Sequence, residues 1–475
     1  MNLRALAKNA SIAFLAQGVA MGVSVITTLL VPKVLGVEQY GYWQLFIFYS
    51  SYVGFCHLGL NDGVYLVNGG LTRDKVDRRS ISSQLLVETV WQIALSVTLL
   101  IALWTSDLGP ERSFVLSCTA MYMVVKNAAS YLGYMFQAMN ETVLYSGSCI
   151  LERLSFLVPM AALLVLRVDS FAPYVTAYLV AGVMQLAFCL WFARDILAAG
   201  LNSPRVAIQE SCVSVKIGIR LMLANIASQL ILGVARFVID LAWGIETFGQ
   251  LSLSLSMVNF FLAFVTQASM VLFPALRQSS DREQIKFYCA ARDGMATLFP
   301  AVYLLYWPIR WIIGLWLPQY ADSLAFFVYL LPICVFDSKM NVSCTTLFKV
   351  RREEATLFSV NVTTMILSGL GTLLGAYVFE SVYAVIAAVT IAIVGRSAAS
   401  EIILTRRLCA PIGSRIVVGE LAVTVVFVVA SSLLPMTEAI IAFTLAYAAY
   451  LAANHEVVRN LALQVIAAPG LKKRS

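Results

Sequence analysis

The chain has 475 residues, of which 60% are hydrophobic and 12% charged, whereas soluble domains carry roughly a quarter charged residues. One soluble core of this composition would leave a large apolar surface in water, and strand-like alternation is absent, so soluble globular and β-barrel classes are both excluded. The net charge of +7 points first to an acidic or nucleic-acid partner, but topology accounts for it, because basic residues stay cytoplasmic during insertion. No nucleic acid is expected.

Apolar runs of about 20 residues are long enough to cross a bilayer as helices. About fourteen are read, at 9–31, 42–69, 82–104, 113–137, 143–166, 171–193, 217–243, 248–276, 293–316, 322–348, 357–379, 381–404, 416–434 and 437–455. The fold class is therefore an all-α polytopic membrane protein. Arg4 and Lys8 precede the first run without a small-residue cleavage site, so it reads as a retained helix. Only residue 380 links the eleventh and twelfth runs, which form a tight hairpin.

Placing the N-terminus inside puts 23 of the 33 Lys+Arg on the cytoplasmic side and only Lys33, Arg112 and Arg167 outside. Both termini are then cytoplasmic. The remaining seven, Lys126, Arg153, Arg220, Arg236, Arg310, Lys339 and Arg396, fall inside spans. Ionisable groups in hydrocarbon cost several kcal/mol and mark a pathway or a pairing. The outside loops are too short to build a catalytic site, and no HExxH or nucleophile elbow occurs. Neither enzyme activity nor a cofactor is expected. The nine Cys include no CxxC pair and read as free packing thiols, with no metal.

An internal repeat runs through the chain. Gly36-Val37-Glu38-Gln39-Tyr40-Gly41 is echoed by Gly244-Ile245-Glu246-Thr247-Phe248-Gly249, an offset of 208. Phe136-Gln137-Ala138-Met139-Asn140-Glu141 is echoed by Phe348-Lys349-Val350-Arg351-Arg352-Glu353, an offset of 212. The spacing predicts two six-helix lobes, 1–205 and 206–405, in parallel orientation around a central cavity. Residues 406–475 then supply two additional helices and a cytoplasmic tail.

Polar residues inside the spans recur at helical spacing. Asn225, Gln229, Gly233, Arg236 and Asp240 make one stripe, with Arg236 and Asp240 able to pair at i, i+4. Lys126, Ser130, Gly133 and Gln137 make another. Gln17, Ser24 and Thr28, then Ser50, Gly54, His57 and Asn61, mark the first two spans. The candidate cavity set is Lys126, Arg153, Arg236 and Lys339 with Gln17, Asn61, Gln229 and Asp240. Asp240 and Asp337 are candidate ligands for a coupling ion. The competing reading is that these charges pair structurally and hold helices together.

Leu35-Gly36-Val37-Glu38-Gln39-Tyr40-Gly41-Tyr42-Trp43-Gln44, followed by His57-Leu58-Gly59-Leu60-Asn61-Asp62-Gly63, resembles the opening of the O-antigen and polysaccharide flippases. This polysaccharide transporter family belongs to the superfamily that includes the multidrug and toxin extrusion transporters. Arg236 ahead of 244–249, and Trp316-Leu317-Pro318-Gln319-Tyr320, are similar to it as well. The chain departs at His57, where the family often has an acid, and at Val67 and Asn68, where a basic residue is frequent. The resemblance implies flipping of an isoprenoid-pyrophosphate-linked oligosaccharide from the inner to the outer leaflet of the bacterial cytoplasmic membrane by alternating access. Membrane lipids and polysaccharide polymerase or assembly proteins are the implied partners. A cation-coupled multidrug or metabolite exporter of the same superfamily is the alternative, though its site would emphasise acids.

Overall fold

A computed structural model describes residue 18 and residues 21–277, 279–411 and 414–459; they are helical almost throughout, with no strand among them. In order the helices are α1 (Met21–Leu29), α2 (Val31–Tyr52), α3 (Leu60–Asn68), α4 (Arg78–Trp104), α5 (Pro110–Ala138), α6 (Thr142–Val165), α7 (Phe171–Leu197) and α8 (Pro204–Arg277). They continue with α9 (Asp281–Leu298), α10 (Tyr306–Trp316), α11 (Ala321–Lys339), α12 (Thr346–Val350), α13 (Glu354–Tyr377), α14 (Val382–Arg407), α15 (Ser414–Leu433) and α16 (Met436–Ala453). Among the described residues, ten helical stretches are long and apolar enough to cross a membrane, or eleven when the bent pair at Met21–Leu29 and Val31–His57 counts as one span.

The distribution of side chains is inverted relative to a soluble protein. Trp104, Val165, Trp191, Leu315, Leu374 and Ile391 stand outside, while Gln92, Asn127, Lys339, Thr372, Ser397 and Glu420 are buried. Hydrocarbon offers no hydrogen bonds, so polar groups must find partners inside the bundle and apolar groups can face outward. This is a multi-pass helical membrane protein.

Local chemistry sets the helix ends. Pro110 opens α5, where its missing N–H costs nothing. The Asp77 carboxylate accepts from the backbone N–H groups of Arg79 and Ser80 at 3.1 Å each, capping α4. Ser280 and Glu283 close a capping box at α9.

The described residues form two compact units. One runs up to Ile226 and takes in Ile245–Gly249; the other comprises Ala227–Gly244 and the chain from Gln250 on. In unit 1, α5 contacts α2, α3, α4, α6 and α7. Its aromatic centre is Trp43 stacked on Phe156 at 5.7 Å, with Tyr178 edge-on to Phe46 at 5.6 Å and to Phe156 at 5.2 Å. Unit 2 is organised on α11, whose Phe326, Phe327, Leu330 and Leu331 join Val385 and Val389 of α14 in one core. Phe427 of α15 and Phe443 of α16 belong to the same core, and Phe427 stacks on Tyr303 at 4.5 Å. The last two helices are thus built into unit 2 rather than appended to it.

The sequence repeat is a repeat of backbone conformation. Gly36 and Gly244 both break their helices with positive φ, 73° and 81°. Asn140 and Arg352 are both left-handed, at 62° and 57°, and so are Arg167 and Glu380, at 53° and 48°. The Glu141 N–H donates to the Phe136 carbonyl at 2.7 Å, and the Glu353 N–H to the Phe348 carbonyl at the same distance. Both acids then anchor the chain near the basic loops. Arg73 grips Glu141 through two bonds of 2.9 and 3.0 Å and reaches Asp195 at 2.7 Å. In unit 2 the acid Glu353 is paired with Arg407.

One contact in unit 1 leaves no room for a side chain. A Cβ added at Gly63 of α3 would collide with the backbone carbonyl of Ser214 in α8. Gly63→Val is therefore expected to lose about 1–3 kcal/mol, as overpacking does. A lower unfolding midpoint for the purified variant is the check; an unchanged midpoint would mean the two helices are not held this close.

Candidate functional site

In unit 1, Tyr122 and Lys126 lie one turn apart on α5 and so share a face. The Lys126 ammonium donates to Glu152 Oε1 of α6 at 2.7 Å and to Gln185 Oε1 of α7 at 3.1 Å. Tyr122 donates its hydroxyl to the same Glu152 oxygen at 3.3 Å. Arg153 follows Glu152 on α6, with Tyr178, Glu152, Tyr122 and Cys149 as its electrostatic neighbours. Lys126 pairs with Glu152, and Arg153 adds a second cation beside that pair, so the three residues together carry a net charge of +1 in an apolar bundle. An ammonium has three N–H donors and a guanidinium five, more than Glu152 and Gln185 can accept. Lys126 and Arg153 are brought together as a cationic group.

Asn61 also belongs to unit 1, buried on α3 against Glu88 of α4 and Asn127 of α5. Ahead of it the helix is broken. Leu58 and Gly59 are both left-handed, and the Gly59 N–H donates to His57 Nδ1 at 2.9 Å. That bond leaves the His57 proton on Nε2, which lies 3.9 Å from the Asp62 carboxylate. Gln17 lies outside the described residues.

Unit 2 holds the other candidates. Arg236 of α8 donates to Ser252 Oγ at 3.0 Å, and Asp240 is buried one turn further along the same helix. Gln229 lies exposed on that helix. Lys339, at the end of α11, is clasped by Glu401 of α14 at 2.6 Å and by Glu420 of α15. Two carboxylates on one ammonium leave it little capacity for a further anion. Asp337 is paired with Arg396 of α14, whose guanidinium also approaches Asn361 Oδ1 and Ser228 Oγ at 3.5 Å each. The acid thereby already has a cation.

Several of these partners carry no signal in the linear sequence. Glu420 lies 81 positions from Lys339, and nothing in the linear sequence joins them. Glu88 was open to detection, because it is a lone acid in the apolar run Leu85-Leu86-Val87-Glu88-Thr89-Val90-Trp91.

A family model described as "Polysaccharide biosynthesis protein" matches residues 6–280. The chain belongs to this family. Among solved structures it is similar to the lipid II flippase MurJ in an inward closed conformation, with a TM-score of 0.60 at 10% identity, covering 95% of this chain and 99% of that one. It is also similar to an inward-facing multidrug resistance MATE family transporter of the MOP superfamily, with a TM-score of 0.59 at 12% identity, covering 83% and 98%. A mutant of the Vibrio cholerae MATE transporter VcmN matches with a TM-score of 0.54 at 11% identity, over 85% and 97%. A comparison with curated protein sequences found no match. At these identities the likeness is one of fold, and the fold is that of MATE and MurJ proteins.

Proposed function

We propose that this polysaccharide biosynthesis protein is a flippase. It carries an isoprenoid-pyrophosphate-linked oligosaccharide from the inner to the outer leaflet of the bacterial cytoplasmic membrane by alternating access, with both of its own termini in the cytoplasm. The observation that supports this reading is the Lys126–Glu152–Arg153 group, which holds one more cation than acid within an apolar helix bundle. A surplus cation in hydrocarbon is costly and is retained where it meets an anion. Arginine offers paired donors matched to phosphate oxygens, and lysine a point charge, so a pyrophosphate is a fitting occupant. Tyr122 and Tyr178 join Trp43 and Phe156 in the buried aromatic cluster beside this group, which holds α2, α5, α6 and α7 around it. Family membership and the fold shared with a protein described as a lipid II flippase point the same way. Released outside, the unit would pass to polymerase and assembly proteins.

Deletion of the gene is expected to abolish the surface polymer and to leave the lipid-linked repeat unit on the cytoplasmic face, with both restored by the wild-type gene. Leaflet-specific labelling of the lipid-linked unit in the deletion strain is the check; normal polymer without the protein would reject the assignment.

A further inference from the structure

The two units carry the same knot of polar side chains with its polarity reversed. α5 and α11 are counterparts in the duplication: they begin at Pro110 and Ala321, an offset of 211, and Glu111 and Asp322 stand at that offset in their first turns. The offset becomes 212 at Phe136 and Phe348. The extra residue lies in the π turn Met340–Thr345, which takes one residue more than an α turn. Ahead of that turn Lys126 therefore corresponds to Asp337. α7 and α14 begin at Phe171 and Val382, again 211 apart, so Gln185 corresponds to Arg396. α6 and α13 begin at Thr142 and Glu354, 212 apart, which matches Cys149, three residues before Glu152, with Asn361.

In unit 1 the knot has its cation on α5, an amide on α7 and the acid on α6. In unit 2 the acid is on α11, the cation on α14 and an amide on α13. The first knot, with Arg153, keeps a surplus positive charge. The second neutralises itself. Asp337 supplies from within the anion that the unit 1 group lacks.

The Arg396 guanidinium is nevertheless under-used. The residue is 7% exposed. Its Nη2 donates to Asp337 Oδ1, and its Nη1 reaches Asn361 Oδ1 and Ser228 Oγ only at 3.5 Å, the outer limit of a hydrogen bond. Its Nε has no hydrogen-bond partner among the described residues. A buried donor without an acceptor is rare and calls for a partner. Nε and Nη2 form one edge of the fork, which suits two oxygens of a phosphate, and Asp337 covers only one end of that edge. The group is not sealed, since Ser228 is exposed and Asp337 half-buried. Asn341 Nδ2, 3.4 Å from Asp337 Oδ2, offers a displaced carboxylate a donor.

We propose that Arg396 is a second phosphate contact, on unit 2, which Asp337 holds in reserve. The carboxylate occupies the guanidinium in the absence of ligand and yields it to the pyrophosphate of the transported headgroup. This rests on the flippase reading and adds a built-in competitor to it: affinity is lowered by the fraction of molecules in which Asp337 holds Arg396.

Titration of the purified full-length protein with inorganic pyrophosphate tests it, because a ligand of the folded state raises the unfolding midpoint. Asp337→Asn is expected to lower the half-saturating concentration about tenfold, by removing the competitor. Asp337→Asn combined with Arg396→Gln is expected to raise it about thirtyfold above wild type, by removing the contact. The combined variant should also lose surface polymer at wild-type membrane levels. A neutral replacement of a buried ion pair is often tolerated, so a purely structural pair would leave polymer and half-saturation unchanged. That result overturns the proposal. Should Asp337→Asn fail to accumulate with its guanidinium unpaired, the combined variant, which strands no charge, still decides. If Arg153→Ala removes the pyrophosphate response while the combined variant keeps it, the proposal fails and the flippase reading stands. No response in the wild type sinks both. Altered pyrophosphate binding with normal polymer would assign Arg396 to a soluble phosphate and overturn its part in transport.

Discussion

Lys339→Ala is expected to cost about 3–5 kcal/mol of stability, because removing one partner of a buried ion pair strands the other. Here two carboxylates are stranded at once, Glu401 of α14 and Glu420 of α15, both almost wholly inaccessible. The loss falls on the joint between α15 and the unit 2 core. Adding Glu401→Gln and Glu420→Gln to a Lys339→Met background removes all three charges together. Replacing a buried ion set by neutral groups is often close to neutral in energy, so this triple variant is expected to recover most of the loss. Thermal unfolding of the three purified proteins checks it. A Lys339→Ala protein as stable as the wild type would show that the clasp contributes nothing.

Arg153→Ala is expected to abolish complementation while the protein still reaches the membrane. Truncating a charged group that hydrogen-bonds a bound anion costs about 2–5 kcal/mol of binding. Lys126→Ala alone is a poorer probe, since it strands Glu152, its ion-pair partner at 2.7 Å. The informative form is Lys126→Ala with Glu152→Gln, which removes the ion pair and leaves Arg153 as the remaining cation. We expect that double variant to retain partial activity, and the addition of Arg153→Ala to eliminate it. Polymer on the cell surface, measured against membrane-fraction protein, provides the readout; full activity of Arg153→Ala would remove the cationic site from the account.

How far the sequence carried the reading depends on the range of each interaction. Turn geometry is local, so Gly36 with Gly244 and Asn140 with Arg352 were recognisable as repeated motifs, and the structure gives each pair the same left-handed backbone. Hydrophobic runs were legible for the same reason, and they mark the membrane-crossing helices. Charge partners were not. Arg396 stands near Glu401 in the sequence, yet it pairs with Asp337 on another helix, while Glu401 turns to Lys339. Helical phase decides which face each residue presents, and the bundle decides what meets it. The final two helices lie beyond the duplication, and packing places Phe427 and Phe443 in the unit 2 core.

The most direct measurement is transbilayer movement in proteoliposomes holding the purified protein and an isoprenoid-pyrophosphate oligosaccharide whose headgroup is accessible to a membrane-impermeant reagent on one side only. Wild-type protein is predicted to expose the headgroup on the other side well above the rate in protein-free vesicles, and Arg153→Ala to fall to that background. Equal rates with and without protein, or with and without the Arg153 guanidinium, would contradict a flippase built on this cationic group.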